Sequence, residues 1–145
     1  GGIGQNTVPD HAEALVDFRF LTARDGEALL SSIRDAAAAA AEKVSGSKIE
    51  VKGGISRAPL ERTDASALLL AEYAACAQQA GLGADEAPLI GGGSDANTVA
   101  AAGVPAIDGL GPRGQGFHTV DEFIERKTLL PKTEALVRFL GSRAV

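Results

Sequence analysis

The stretch Ile90-Gly91-Gly92-Gly93-Ser94-Asp95-Ala96-Asn97 passes from a short apolar run, through three glycines, into a helical segment. A strand, a glycine-rich turn and a helix in this order, with a second apolar run at 104–107, are typical of an α/β sheet. Ligands of such sheets bind at the carboxyl ends of the strands. The turn at 91–97 and the glycine-rich loop at 109–118 are therefore candidate site loops.

The first third of the chain has the order strand, helix, strand. Residues 13–20 alternate between apolar and polar side chains, and residues 48–52 alternate again, which predicts two half-buried strands. The inward face of the first strand would hold Ala14, Val16, Phe18 and Phe20. Between the strands we predict a helix with Asp25 as its N-cap, running through Val44 to a stop at Gly46. The apolar stripe of this helix comprises Leu29, Leu30, Ile33, Ala37, Ala40 and Val44.

A boundary is predicted at Arg57-Ala58-Pro59-Leu60-Glu61-Arg62, which divides the chain into a piece at 1–56 and a piece at 57–145. The second piece is predicted to combine short strands with helices. These elements are strands at 88–90 and 104–107, and helices from Thr63 or Asp64 to about Gly81, from Ala96 to Ala102, and a last amphipathic one with Pro131 in its first turn. The fold class is thus α/β, an α+β piece followed by an α/β piece.

The composition limits the classes of partner that the chain is expected to bind. The chain has 145 residues, of which 45% are hydrophobic and 23% charged, with a net charge of −5, so it can bury a core. A mild acidic excess, without a basic stripe interleaved with aromatics, argues against nucleic acid and anionic membranes as partners. No apolar stretch approaches the ~20 residues of a membrane span. Cys76 is the only cysteine, which excludes an internal disulfide and a thiolate zinc cluster, and we interpret it as a small buried hydrophobe.

The glycine-rich turn at 91–95 is the part of the sequence that most strongly indicates a binding site. Glycines let the main chain approach a ligand, and N–H groups at a helix N-terminus attract carboxylate or phosphate. The turn lacks the Gly-Lys-Ser/Thr ending of a phosphate loop and the spacing of a dinucleotide fingerprint. The alternative is a tight turn in which Ser94 or Asp95 is simply the N-cap of the next helix.

Two further side chains are candidates for chemistry. His118 follows the glycines of Gly114-Gln115-Gly116-Phe117, a position that supports a metal or catalytic role. The alternative is a structural or merely exposed histidine, which is the more common role of a single histidine. His11, in contrast, is interpreted as a surface residue. Arg19 lies on the predicted first strand, where a rigidly aimed guanidinium suits a carboxylate. Its alternative role is a solvated strand face or an ion pair with Asp17.

Four segments in this order resemble the co-catalytic zinc peptidases that include glutamate carboxypeptidase, aminoacylase, acetylornithine deacetylase and succinyl-diaminopimelate desuccinylase. The segments are Gly2-Ile3-Gly4-Gln5-Asn6-Thr7-Val8-Pro9, Val16-Asp17-Phe18-Arg19-Phe20, Gly92-Gly93-Ser94-Asp95-Ala96, and Gly116-Phe117-His118-Thr119 with Asp121-Glu122 following. The resemblance covers the whole chain, and the glutamate carboxypeptidase branch is the most similar.

The resemblance implies a role for each piece and each site residue. Residues 1–56 would be the later part of a ferredoxin-like lid that forms a homodimer, and 57–145 the C-terminal end of the catalytic sheet with its flanking helices. His118 matches the C-terminal metal ligand. Asn6 and Arg19 match lid residues that hold the substrate carboxylate and polarise the scissile carbonyl, and Gly92-Gly93-Ser94 borders the substrate's C-terminal portion. The substrate would be a peptide or an N-acyl amino acid.

The resemblance also implies parts that this sequence lacks. The family binds two zinc ions, with cobalt or manganese as possible replacements, through a His-x-Asp segment, a bridging Asp and consecutive glutamates that lie before Gly1. We therefore expect a fragment of a metallo-carboxypeptidase or amidohydrolase that is inactive alone, an expectation to which the absence of Met and the opening on Gly1 contribute. The alternative is a non-catalytic dimerisation or anion-binding module. The compartment stays open.

Overall fold

Four helices and one short hairpin make up the regular structure of residues 1–2 and 4–143, the part of the chain that the computed structural model describes. Their order is α1 (Ala23–Lys43), α2 (Asp64–Gln79), α3 (Asp95–Ala101), β1 (Gly114–Gln115), β2 (Phe123–Ile124) and α4 (Arg126–Gly141). Strands β1 and β2 are antiparallel, with Gly114 opposite Ile124. Helices combined with a small sheet are consistent with the predicted α/β class. None of these helices is long and apolar enough to cross a bilayer.

The four strands predicted at 13–20, 48–52, 88–90 and 104–107 are wrong as elements, because the described residues pair only β1 with β2. A strand needs a neighbour to accept and donate its main-chain hydrogen bonds, which alternation alone does not supply. On the predicted inward face of the first segment, Val16 is 66% exposed. Phe18 and Phe20 are half-buried, with ring centroids 5.8 Å apart. The alternating pattern therefore identified two phenylalanines that pack together, but these residues do not form a β-strand.

Helix α1 begins three residues earlier than predicted. Thr22 is its N-cap, because its hydroxyl oxygen accepts from the N–H of Asp25 at 3.1 Å, and Asp25 lies inside the first turn. There its carboxylate complements the positive end of the helix dipole. Gly26 and Leu30 are the buried residues of α1. A Cβ at Gly26 would lie 2.7 Å from Cε2 of Phe20, so the Phe20 ring packs directly against the helix backbone.

The core lies between α2 and α4. Its buried members are Tyr73, Ala77, Ala135 and Phe139, and Cys76 packs half-buried against them. The rings of Tyr73 and Phe139 meet edge to face, with centroids 5.7 Å apart and planes at 81°. This geometry is the favoured one for aromatic pairs.

The remaining helix ends lie within about two residues of the predicted ones, except in α4. Thr63 caps α2 through a capping box with Ser66, as one of the two predicted caps. Ser94 caps α3, and Gly103 follows that helix with a φ of 81°. Pro131, however, lies in the second turn of α4, because the helix begins at Arg126. The prediction that Pro131 sits in the first turn is wrong.

Candidate functional site

The guanidinium of Arg19 reaches the glycine-rich turn. Its Nη1 donates to the main-chain carbonyl of Gly91 at 2.7 Å, across 72 positions of sequence. Its Nη2 lies 3.2 Å from the Asp17 carboxylate. The ion pair that was the alternative role of Arg19 is therefore present, and it coexists with a contact between two segments predicted to form the site. The Arg19 side chain is 71% exposed, so its remaining N–H groups face solvent.

A second arginine borders the same turn, and sequence reasoning missed it. A Cβ at Gly93 would lie 3.0 Å from Nη1 of Arg57 and 3.1 Å from its Cδ, so the glycine makes room for this side chain. Arg57, Gly93 and Ser94 line an open cavity of about 750 Å³. Asp95 and Asp108 also line it, so its walls carry both signs of charge. Sequence reasoning had used Arg57 only as part of the boundary at 57–62.

The N–H groups at the start of α3 donate to acceptors within the same turn. The Ser94 hydroxyl accepts from the N–H of Ala96 at 3.2 Å, and the N–H of Ser94 donates to Oδ1 of Asn97 at 2.9 Å. The N–H of Asn97 donates to the Ser94 carbonyl at 3.2 Å. The N-cap role, which was the alternative for Ser94, is therefore the one observed. These three N–H groups are engaged within the turn, so the helix start by itself is a weak anion site.

Asn97 joins this turn to the boundary segment. It is 9% exposed, and its Nδ2 donates to the main-chain carbonyl of Ala58 at 2.8 Å. A buried amide with both ends bonded to backbone fixes the two segments relative to each other. The signal available in the sequence was an Asn at the third helical position after Ser94, which is a capping-box spacing.

His118 lies at the tip of the β1–β2 hairpin. It is exposed and has a φ of 64°, a left-handed conformation that is uncommon for a residue with a side chain. Thr119 closes the turn around it, because its hydroxyl donates to the Gly116 carbonyl at 2.7 Å and accepts from the N–H of Asp121 at 3.2 Å. His118 is not among the residues that line the cavity beside Gly93.

The base of this hairpin is fastened to α4. The N–H of Arg113 donates to the hydroxyl of Thr128 at 3.0 Å, and the N–H of Glu125 donates to the Arg113 carbonyl at 2.8 Å. Thr128 is 6% exposed and its hydroxyl also donates to the Glu125 carbonyl at 2.7 Å. The tip that carries His118 thus projects from a fixed base.

The other predicted site residues lie apart from these contacts. Asn6 is exposed in a turn, and it does not line the cavity beside Gly93. Gly92 is exposed, and a Cβ there would meet nothing within 4 Å. The structure therefore brings together Arg19 and the glycine-rich turn, and Gly93 and Ser94 with Arg57. It does not bring Asn6 or His118 into the cavity.

One family model matches the chain over residues 2–142, and its description is peptidase family M20/M25/M40. The chain belongs to this family. The resemblance noted in the sequence is thus confirmed at the level of the M20 peptidase family, a family of hydrolases that are generally metal-dependent and act on peptides. No curated protein and no solved structure matches the chain.

One described residue, His118, was predicted to be a metal ligand. The imidazole of His118 is exposed and chemically suited to zinc. Among residues 1–2 and 4–143, however, no group of three His, Cys, Asp or Glu side chains is arranged to hold a metal ion. A zinc site needs at least three protein ligands, so these residues alone do not make one.

Proposed function

We propose that this chain is part of a zinc-dependent carboxypeptidase or amidohydrolase that cleaves a C-terminal or N-acyl amide bond. The family match supports a peptidase of the M20 type. The contact that carries the proposal is the hydrogen bond from Arg19 to the Gly91 carbonyl, because it joins a cation to the turn proposed to border the substrate. Arg19, Asn6 and the turn at 92–94 would hold the substrate, and His118 would supply one metal ligand.

Carboxylate binding follows from the donors that Arg19 retains. A guanidinium has five N–H groups, and the contacts to Gly91 and Asp17 use one on each terminal nitrogen. The remaining donors can form a bidentate pair with a carboxylate, which is stronger than a neutral hydrogen bond. A substrate with a free carboxylate next to the scissile amide would then be held with its peptide group beside the Gly91–Ser94 turn.

The metal part of the proposal assigns His118 one of several ligand positions. Zinc, when bound, would polarise the amide carbonyl as a Lewis acid. The other ligands and the glutamate general base would be supplied by residues outside this chain, so the chain alone is proposed to be inactive. Residues 1–56 would act as the lid piece and form the homodimer.

The alternative of a simple anion-binding module has less support. Asp95 and Asp108 line the cavity together with Arg57, so anionic groups are repelled as well as attracted there. The N–H groups of Ser94 and Ala96 are also engaged in the α3 cap.

The proposal is tested on the purified protein that contains this chain. N-acyl amino acids and dipeptides are compared with the same compounds carrying a blocked carboxylate, each with zinc bound and after chelation. We expect zinc-dependent cleavage of the free acids and a KM at least tenfold higher for the blocked ones, the order of a charge-assisted hydrogen bond. Equal cleavage of blocked and free substrates contradicts carboxylate recognition, and full activity without metal contradicts the zinc assignment.

A further inference from the structure

We propose that Asn97 is a positioning residue that holds the glycine-rich turn against the segment bearing Arg57 and so sets the shape of the substrate cavity. This inference rests on the proposed function, since the cavity is taken as part of the substrate site because Gly93 and Ser94, which are proposed to hold the substrate, line it. Asn97 does not itself line the cavity. It acts through Ser94 on one side and Ala58 on the other.

The two amide ends of Asn97 serve different purposes. Oδ1 accepts from the N–H of Ser94 at 2.9 Å, which completes the capping box of α3. Nδ2 donates to the Ala58 carbonyl at 2.8 Å, 39 residues away, which helix capping does not require. Asn97 is 9% exposed and Ala58 is half-buried, so losing this bond would leave the Ala58 carbonyl without its donor from Asn97.

Helix α2 has a capping box that makes no long-range hydrogen bond, and it can be compared with the capping box of α3. Helix α2 has a capping box at the same spacing, in which the Ser66 hydroxyl accepts from the N–H of Thr63 at 2.9 Å. That hydroxyl donates back to the Thr63 carbonyl at 3.0 Å and reaches no distant segment. A serine therefore suffices for a cap in this chain, and the amide at Asn97 adds the long-range bond.

The long-range bond fixes Arg57, because Ala58 is the next residue. The Arg57 side chain packs where a Cβ at Gly93 would lie, with its Nη1 and Cδ at 3.0 and 3.1 Å from that position. If Ala58 were released, Arg57 would move away from Gly93 and the cavity beside the turn would widen. Arg57 would then no longer support the Gly93–Ser94 part of the turn, which is proposed to hold the substrate.

The test uses Asn97→Ser in the full protein, which keeps a capping hydroxyl and removes the donor to Ala58. The matched control is Thr98→Ala, an exposed position on the same helix. We expect Asn97→Ser to raise KM for a free-acid substrate about tenfold, the worth of one hydrogen bond, with kcat and bound metal close to wild type. The control should leave KM unchanged.

A structural readout separates this inference from the proposed function. In wild type and in Thr98→Ala we expect a nuclear Overhauser contact between the δ-methylene of Arg57 and the α-hydrogens of Gly93, and we expect its loss in Asn97→Ser. A wild-type protein that cleaves no amide would overturn the proposed function, while this contact would still decide whether Asn97 positions Arg57. Persistence of the contact in Asn97→Ser, or a KM equal to that of Thr98→Ala, would overturn the positioning role.

Discussion

Arg19 and Gly91 are joined by a hydrogen bond of 2.7 Å from the guanidinium to the main-chain carbonyl, although 72 positions separate them in sequence. The bond connects the segment at 17–20 with the glycine-rich turn at 91–95. It places a cation beside the turn while leaving most of that side chain exposed. A contact of this kind can orient the guanidinium without consuming its capacity to bind a carboxylate.

Replacing Arg19 tests its role in substrate binding. We expect Arg19→Ala to raise KM for a free-acid substrate by roughly tenfold to a hundredfold, because a charge-assisted pair is lost, and to leave bound metal unchanged. Arg19→Lys should recover part of the loss, since an ammonium keeps the charge without the bidentate fork. Arg24→Ala, at an exposed position on α1, is the control. An Arg19→Ala enzyme with the KM of this control would contradict the assignment.

Gly116 tests the hairpin on which His118 lies. A Cβ there would meet the Asp121 carbonyl oxygen at 2.8 Å, and the residue has a φ of 73°. Gly109 has a similar φ of 77° with nothing within 4 Å, so Gly109→Ala carries the backbone strain alone. We expect Gly109→Ala to lose about 1–2 kcal/mol of unfolding free energy and Gly116→Ala to lose more, because its Cβ also meets the Asp121 carbonyl. Only Gly116→Ala should also weaken metal binding, measured by titration. Equal metal affinity in the two variants would show that the turn does not position the ligand.

Tyr73 carries a buried hydroxyl with no hydrogen-bond partner among the described residues. Removing it by Tyr73→Phe should leave the unfolding free energy unchanged or raise it by up to about 1 kcal/mol, because an unsatisfied polar group is deleted and the ring is kept. Tyr73→Ala should cost about 3–5 kcal/mol, since the edge-to-face contact with Phe139 is lost. Denaturant titration measures both. A clear loss of stability in Tyr73→Phe would mean that the hydroxyl has a partner.

Tyr73 is also expected to make the stability of the fold depend on pH in the alkaline range. Burial, and secondly Cys76, raises the pKa of Tyr73 above its ordinary 10.0. The folded state therefore holds this proton more tightly than the unfolded state, so the stabilisation is complete below pH 10 and is lost as pH rises through the folded pKa. We expect the ultraviolet difference between wild type and Tyr73→Phe to show a tyrosinate titration whose midpoint lies above pH 10. A midpoint at or below pH 10 would contradict the burial.

Glu61 connects the segment that precedes α2 with the start of α1. Its Oε1 accepts from the N–H of Ala23 at 2.7 Å, so a carboxylate from the boundary segment meets the first turn of α1. We expect Glu61→Gln to cost about 0.5–1 kcal/mol of unfolding free energy, because the charge that complements the helix dipole is lost. Glu27→Gln, at an exposed position of the same helix, is the matched control. If both changes cost the same in thermal denaturation, the Glu61 contact contributes nothing.

Local signals in the sequence predicted the helices well. Thr63 and Ser94 are caps because a hydroxyl before a helix can satisfy its first N–H groups, and Gly81 and Gly103 follow helix ends with positive φ. Thr22 was missed because Asp25 also looked like a cap. Thr22 lies three residues before Asp25, and this spacing between an N-cap threonine and an acidic residue is typical of the start of a helix.

Contacts between segments far apart in the sequence could not be predicted from the sequence patterns. Alternation at 13–20 identified Phe18 and Phe20 as packing residues, but a ladder also needs a partner strand. Within the candidate site, Arg19 and the turn were predicted separately, and their contact depends on the chain path between them. Arg57 and Asn97 were missed because an arginine in a boundary segment and an asparagine in a cap have ordinary local explanations.

The proposed function requires His118 to be a metal ligand of the active protein, and the zinc content of the purified protein tests this role. His118→Asn removes the imidazole and keeps a residue type that tolerates the left-handed backbone, whose φ is 64°. His11→Asn, at the other exposed histidine, is the matched control. Zinc per protein is determined after equilibration with limiting metal. We predict a lower zinc content in His118→Asn and the wild-type content in His11→Asn. A full complement of zinc in His118→Asn would show that His118 is not a metal ligand.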